Sequence, residues 1–254
     1  QRPARLTRDS ALHCANSGAL VGGAWQQRVL ERVAVKCYLP LHGPLLRVSD
    51  RMDGRVRCAF SLSGTVIEQR ERWSPVTLEG FVRLARTGSV EFLAETSHHS
   101  LSFLDGGQEF EAQVKQQMDK VQDLFGQVPT TFRNTELVCS NEVARRVEDL
   151  GFRTILAEGA ESILGWRSPH HLYRPEGCER LKLLLRSYRL SDDIAFRFSN
   201  RAWGEWPLTA DRFAHWLHCV PEGEGPINLF MDYETFGEHQ WADTGSFEFM
   251  DQLP

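Results

Sequence analysis

Ile227-Asn228-Leu229-Phe230-Met231 runs directly into Asp232-Tyr233-Glu234-Thr235-Phe236-Gly237-Glu238-His239-Gln240-Trp241. The first five residues are largely apolar and follow Gly225-Pro226, which gives them the length and boundary of a buried strand. The acids, the histidine and the aromatics that come next form a loop at that strand's carboxyl end. Parallel α/β folds, open or closed, place their chemistry at such ends. The other strands should therefore deliver partners to the same side, and Glu136 is the carboxylate expected to face Asp232.

Upstream, the apolar pattern alternates between strand and helix character. Residues 56–62, 90–94, 130–134, 152–156 and 181–185 read as strands, and residues 227–231 make a sixth. Helices are expected over residues 25–38, ended by Pro40 and Gly43-Pro44, and over residues 78–86, with Phe81, Val82 and Ala85 inward. The clearest helix spans Gln108–Phe125: Phe110, Val114, Met118, Val121 and Phe125 share a face, and Gly126 and Pro129 stop it. Ser140 can cap a helix bearing Val143, Val147 and Leu150, and Thr209 one bearing Phe213, Trp216 and Leu217. Ser191-Asp192-Asp193 opens a loop or short helix. This alternation predicts an α/β fold with a mostly parallel sheet and helices outside. Right-handed crossovers curl such a sheet into a barrel or a doubly wound sheet. With no repeat and no low-complexity linker, one domain is expected over residues 25–254. Residues 1–24 have no clear period and no initiating Met, and are expected to be a poorly ordered or non-native lead-in.

Composition narrows the function classes. A chain of 254 residues, 41% hydrophobic and 25% charged, has an ordinary globular balance. Its 29 basic and 34 acidic residues form no blocks, which argues against a nucleic-acid partner needing a basic face. No apolar run is long enough to span a membrane, and no apolar leader core opens the chain, so the cytoplasm is the expected compartment. Cys14, Cys37, Cys58, Cys139, Cys178 and Cys219 include no C-x-x-C pair and read as reduced, mostly buried thiols. A Gly-rich phosphate loop, a G-x-S-x-G elbow and an H-E-x-x-H are all absent, and no cofactor is expected.

The strand ends collect Glu95, His98, His99, Glu136, Glu158, Asp193 and Asp232. Two carboxylates on separate strand ends suit glycoside hydrolysis, one as nucleophile or base and the other as acid. Arg133 and Asn134 would help keep Glu136 ionised. The apolar run before Asp232, with Tyr233 and Phe236 flanking it, would desolvate it and raise its pKa. Helix caps or surface pairs with arginine are the ordinary alternative for both acids. His98 and His99, adjacent on extended backbone, point to opposite faces and would rarely share a metal ion, so one hydrogen-bonding histidine or a surface pair is expected. Trp166, Trp203, Trp206 and Trp241 lie in expected loops, where they could stack on sugar faces or serve as core and lid.

Together these segments resemble glycoside hydrolase family 57, in particular its α-amylase and α-amylase-like group. The likeness is carried by Phe132-Arg133-Asn134-Thr135-Glu136-Leu137 and by Met231-Asp232-Tyr233-Glu234-Thr235-Phe236-Gly237-Glu238-His239. It is supported by Val90-Glu91-Phe92-Leu93-Ala94-Glu95-Thr96 with His99, by Ile163-Leu164-Gly165-Trp166-Arg167-Ser168-Pro169, and by Leu190-Ser191-Asp192-Asp193-Ile194-Ala195-Phe196-Arg197-Phe198-Ser199. The resemblance implies a (β/α)7-type parallel barrel and a retaining, metal-free mechanism on an α-1,4-glucan or maltooligosaccharide. In it Glu136 is the nucleophile and Asp232 the general acid/base, about 5–6 Å apart. Substrate-binding positions are then Glu91, His99, Arg133, Trp166, Asp193, Glu234, His239 and Trp241. Two departures stand out. The family's opening strand with its His-Gln-Pro motif has no counterpart in residues 1–24, and the helical region that follows the barrel is missing. The barrel is therefore expected to be incomplete and the chain a fragment. Alternative readings are a 4-α-glucanotransferase or branching activity on the same site, or a catalytically inactive glucan-binding fragment. A metal-dependent deacetylase or mannosidase fits poorly, because no H-x-D or H-x-x-x-H set falls at a strand end.

Overall fold

Five short parallel strands carry the architecture: β1 (Cys58–Ser61), β2 (Val90–Leu93), β3 (Thr131–Arg133), β4 (Thr154–Glu158) and β5 (Lys182–Arg186). The computed structural model describes residues 23–53, 55–105, 107–221 and 223–253. β1 pairs with β2 from Cys58 opposite Val90 to Ser61 opposite Leu93. β3 pairs with β4, and β4 with β5, also in parallel. The two groups join through Ala94 and Phe132: the Ala94 N–H donates to the Thr131 carbonyl at 3.0 Å and the Arg133 N–H to the Ala94 carbonyl at 2.8 Å. Every strand thus neighbours the next one in sequence, the order a parallel barrel requires.

The sixth expected strand is reduced to one parallel bridge, Asn228 with Arg186. Side chains replace its ladder. The Phe230 N–H donates to Ser191 Oγ at 3.2 Å, and Arg186 Nε donates to the Phe230 carbonyl at 2.6 Å. Among the described residues no strand pairs with the outer edge of β1. A cavity of about 600 Å³, lined by Tyr38, Phe60, Ser61, Leu229, Met231 and Tyr233 among others, separates β1 from the Asn228 segment.

Helices flank these strands. Before β1 come α1 (Gly23–Val33), a π-helical turn (Ala34–Tyr38) and α2 (Leu39–Arg51), which follow one another without a break. The stop expected at Pro40 and Gly43-Pro44 does not occur. Pro40 falls in the first turn after the π segment, where an unavailable N–H costs little. Burial of Leu41, His42 and Pro44 then outweighs local preference. Residues 1–22 of the expected lead-in lie outside the described residues, while Gly23 and Ala24 belong to α1.

After β1 come α3 (Gly64–Trp73) and α4 (Pro75–Arg86). No helix was expected at α3, because it buries only Gly64, Ile67 and Arg70 and so shows no apolar stripe. α5 (Gln108–Phe125) has the bounds its pattern predicts. α6 (Asn141–Asp149) and the later α9 (Ala210–His218) start at their expected caps, Ser140 and Thr209, which accept from Val143 N and Arg212 N. Between them lie the short α7 (Glu161–Leu164) and α8 (Tyr188–Asp192), and α10 (Ser246–Gln252) follows. β4 starts and ends two residues later than expected, because its ladder with β5 runs on to Glu158 opposite Arg186. No helix among the described residues is long and apolar enough to cross a membrane. The five described cysteines are free thiols.

The core divides beneath the strands. One cluster gathers Ile67, Phe81, Phe92 and Phe125, with the Phe92 and Phe125 rings stacked at 3.8 Å. Another packs Phe110, Phe132, Val147 and Ile155 under β3 and β4. His42 is buried among Tyr38, Phe81 and Tyr233, and burial together with the charges of Arg70 and Arg83 pushes its pKa down to about 4. Gly80 makes room for it: a Cβ there would fall 2.0 Å from His42 Nδ1. Alanine normally gains about 1 kcal/mol over glycine inside a helix. At this position overpacking wins, and Gly80→Ala should lose about 1–3 kcal/mol of stability, read from the urea midpoint.

Candidate active site

The carboxyl ends of β1, β2 and β3 meet at Glu95. This acid is only 2% exposed, yet its charge is satisfied. Ser61 Oγ donates to Oε1 at 2.7 Å, His99 Nδ1 lies 3.2 Å from Oε2, and the Arg133 guanidinium is 3.7 Å away. The far side of the same imidazole reaches Glu136, with Nε2 3.0 Å from Oε1. A carboxylate–imidazole–carboxylate line therefore runs from the buried Glu95 to Glu136, whose side chain is 74% exposed.

Local hydrogen bonds fix the two loops that carry this line. The Leu137 N–H donates to the Asn134 carbonyl, and Asn134 Nδ2 donates to the Val138 carbonyl, both at 2.9 Å. Thr135 Oγ1 donates to the Ser100 carbonyl at 2.9 Å, which ties the loop after β3 to the one after β2. Asn134, expected to help ionise Glu136, instead holds this turn. His99, Glu136 and Leu137 all take left-handed backbone, with φ of 49°, 54° and 56°. Left-handed residues other than glycine are costly and gather at functional sites.

The line sets the charge states. The hydrogen bond to Glu95 raises the His99 pKa, and the bond to Glu136 adds to this against burial and the Arg133 charge. The hydrogen bond from His99 lowers the Glu136 pKa, helped by the charges of His99 and Arg133 and opposed by slight burial. Glu136 is thus held as a carboxylate with a proton donor against it.

Glu136 faces a cavity of about 610 Å³ that is also lined by Arg133, Glu158, Arg186, Asp192 and Asp232. Arg186 braces its far side: Nη1 is 3.1 Å from Glu158, Nη2 is 2.6 Å from Asp192, and Nε holds the Phe230 carbonyl two residues before Asp232. Asp232 is exposed on the wall. The desolvation expected from its apolar run is not supplied, because none of residues 227–231 is itself fully buried. Among the described residues, no group of three or more His, Cys, Asp and Glu side chains is placed to hold a metal ion.

Residues 17–254 match the family model described as Glycosyl hydrolase family 57. The chain belongs to glycosyl hydrolase family 57. A Methanocaldococcus jannaschii protein named "Putative alpha-amylase" is 47% identical over 230 residues, covering 90% of this chain and 48% of that protein. The chain thus spans about half the length of this relative. Among solved structures, the 4-alpha-glucanotransferase from Thermococcus litoralis superposes with a TM-score of 0.72 at 18% identity, over 88% of this chain and 34% of that one. The GH57-type branching enzyme from Pyrococcus horikoshii gives 0.67 at 14% identity, over 92% and 62%. At such identities these two show a shared fold, and they share it along a parallel α/β sheet.

Of the other positions expected to bind substrate in this family 57 chain, Arg133 and His239 line the cavity with Glu136 and Asp232. His99 reaches the cavity through Glu136. Glu91 does not line this cavity. It lies at the opposite end of β2, beside Gly88, Ser89 and Gln127, four residues or about 13 Å before Glu95. Trp166 is 94% exposed and lines neither this cavity nor its neighbours. Trp241 is 61% exposed and tied by Nε1 to the Glu238 carbonyl at 3.1 Å. Asp193 pairs with Arg197 and faces an adjoining cavity, while its neighbour Asp192 lines this one. Glu234 accepts from Tyr38 Oη at 2.5 Å and faces the cavity beside β1. Glu95, Arg186 and Asp192 were not expected as site residues. The sequence marks Glu95 only as a strand-end acid, and nothing in it marks Arg186 beyond its position at a strand end.

The His99–Glu136 pair has a pH window of determined sign. The lowered Glu136 pKa makes its contribution present above 4.5, the ordinary value, and lost as pH falls through the folded value. The raised His99 pKa makes its contribution present below 6.5 and lost as pH rises through the folded value. His99→Gln should return the Glu136 carboxyl upward toward its ordinary range, and Glu95→Gln should lower the His99 pKa. NMR titration of the two side chains checks both.

Proposed function

We propose that this chain carries the catalytic face of a retaining glycosidase of the α-amylase type, acting on α-1,4-glucans. The carrying observation is that Glu136 and Asp232, distant in sequence and on loops after different strands, line one cavity. Membership of family 57 and the alpha-amylase name given to the Methanocaldococcus jannaschii relative support the substrate class.

In this reading the ionised Glu136 attacks the anomeric carbon while Asp232 gives its proton to the departing glycosidic oxygen. The glycosyl ester on Glu136 is then opened by water, whose proton returns to Asp232 as the oxygen bonds to the sugar. Exposure of Asp232 leaves it open to proton exchange with solvent between turnovers. His99 steadies Glu136 before the attack, and as the ester forms and that carboxylate charge disappears, the buried Glu95 keeps the imidazole's charge paired. Arg186 sets the approach of the Asp232 loop through the Phe230 carbonyl.

Transfer to a second sugar is the competing outcome on the same site. The glucanotransferase and branching-enzyme names of the two fold neighbours favour keeping it in view. Products from a single maltooligosaccharide separate the two: only shorter sugars indicate hydrolysis, and longer ones as well indicate transfer. On an activated maltoside, Glu136→Ala should abolish turnover, and on an unactivated glucan Asp232→Asn should lower kcat by about 10²–10⁴-fold. Equal rates for the parent chain and Glu136→Ala would make this a non-catalytic glucan-binding chain.

A further inference from the structure

A second cavity, of about 780 Å³, adjoins the catalytic one, and Glu161 and Tyr188 line both. Its wall includes Trp203, Trp216, His170 and Glu205. Of the four loop tryptophans with sugar-stacking potential, Trp203 is the one that reaches this cavity. Trp166, Trp206 and Trp241 stand exposed elsewhere.

The two indoles at this wall are held in place. Trp203 and Trp216 meet edge to face at 6.1 Å, and Trp216 rests against Phe213, which is fully buried. The Trp203 N–H donates to the Asn200 carbonyl, and its own carbonyl accepts from Trp206 N, both at 3.0 Å. Both rings are only half-buried despite this packing. Fixed, amphipathic ring surface beside an exposed acid suits a pyranose: its C–H face stacks on the indole while its hydroxyls take Glu205. His170 braces the wall from within, with Nε2 3.1 Å from Ser187 Oγ.

We infer that this second cavity is a distal glucan subsite, so that an α-glucan bound at Glu136 and Asp232 continues past Tyr188 onto Trp203 and Trp216. The inference rests on the glucan-acting reading of the first cavity and adds to it a preference for long substrates. A site confined to the first cavity would gain nothing from extra sugar units.

The test uses a series of maltooligosaccharides of increasing length. The parent chain should show kcat/KM rising with length until both cavities are filled. Trp203→Ala should cut kcat/KM for the longest substrate about tenfold more than for the shortest, and Trp203→Phe should restore most of that difference. A loss that is uniform across lengths would reveal a merely structural tryptophan and overturn the subsite, as would a flat length profile in the parent chain. Calorimetric binding of the same sugars to the Glu136→Gln variant, with and without Trp203→Ala, decides the subsite separately from the chemistry. Length-dependent affinity that is lost with Trp203 upholds the subsite even if the parent chain turns nothing over, an outcome that would remove only the catalytic reading. Affinity independent of length overturns it.

Discussion

A buried carboxylate needs partners, and Glu95 finds them at the ends of three strands. Ser61 follows from β1, His99 from the loop after β2, and Arg133 from the end of β3. Removing Glu95 would leave the Arg133 guanidinium, whose side chain is 11% exposed, without its carboxylate, the costly way to break a buried pair. The alignment of three neighbouring strands and the ionisation of Glu136 therefore depend on the same carboxylate.

Arg186 performs the matching task on the opposite side. One guanidinium spans Glu158 at the end of β4, Asp192 at the end of α8, and the Phe230 carbonyl. Three hydrogen-bonding directions of a planar fork are used, which a lysine could not reproduce. Below the Asp232 loop, Tyr233 is wedged among Tyr38, Phe60 and Phe81. The Arg70 guanidinium lies 3.7 Å over the Tyr38 ring, and Tyr38 in turn holds Glu234. The acid loop is thus pinned from beneath by an aromatic cage and from the side by an arginine, which lets Asp232 itself remain open.

What could be read from the chain follows from how local each signal is. Helix Gln108–Phe125 has a full stripe and a glycine stop, and Ser140 and Thr209 are caps whose partners lie three residues on, so sequence spacing suffices. Glu136 and Asp232 sit in long, distinctive motifs. Glu91 and Glu95 are harder to tell apart: residues four apart on a strand share a face, and only the strand's end decides which acid reaches the mouth. Asp192 and Asp193 face different cavities, which the sequence leaves open because a short helix passes there into a π turn. Arg186 became visible only once its three partners, from different segments, were in place.

The left-handed backbone at Glu136 has an energetic corollary. An L-residue pays roughly 1–2 kcal/mol to sit there, whereas glycine or asparagine sits comfortably. With His99 and Leu137 bent the same way, three such residues crowd the loops after β2 and β3, and the hydrogen bonds that tie those loops together carry that cost in the folded state.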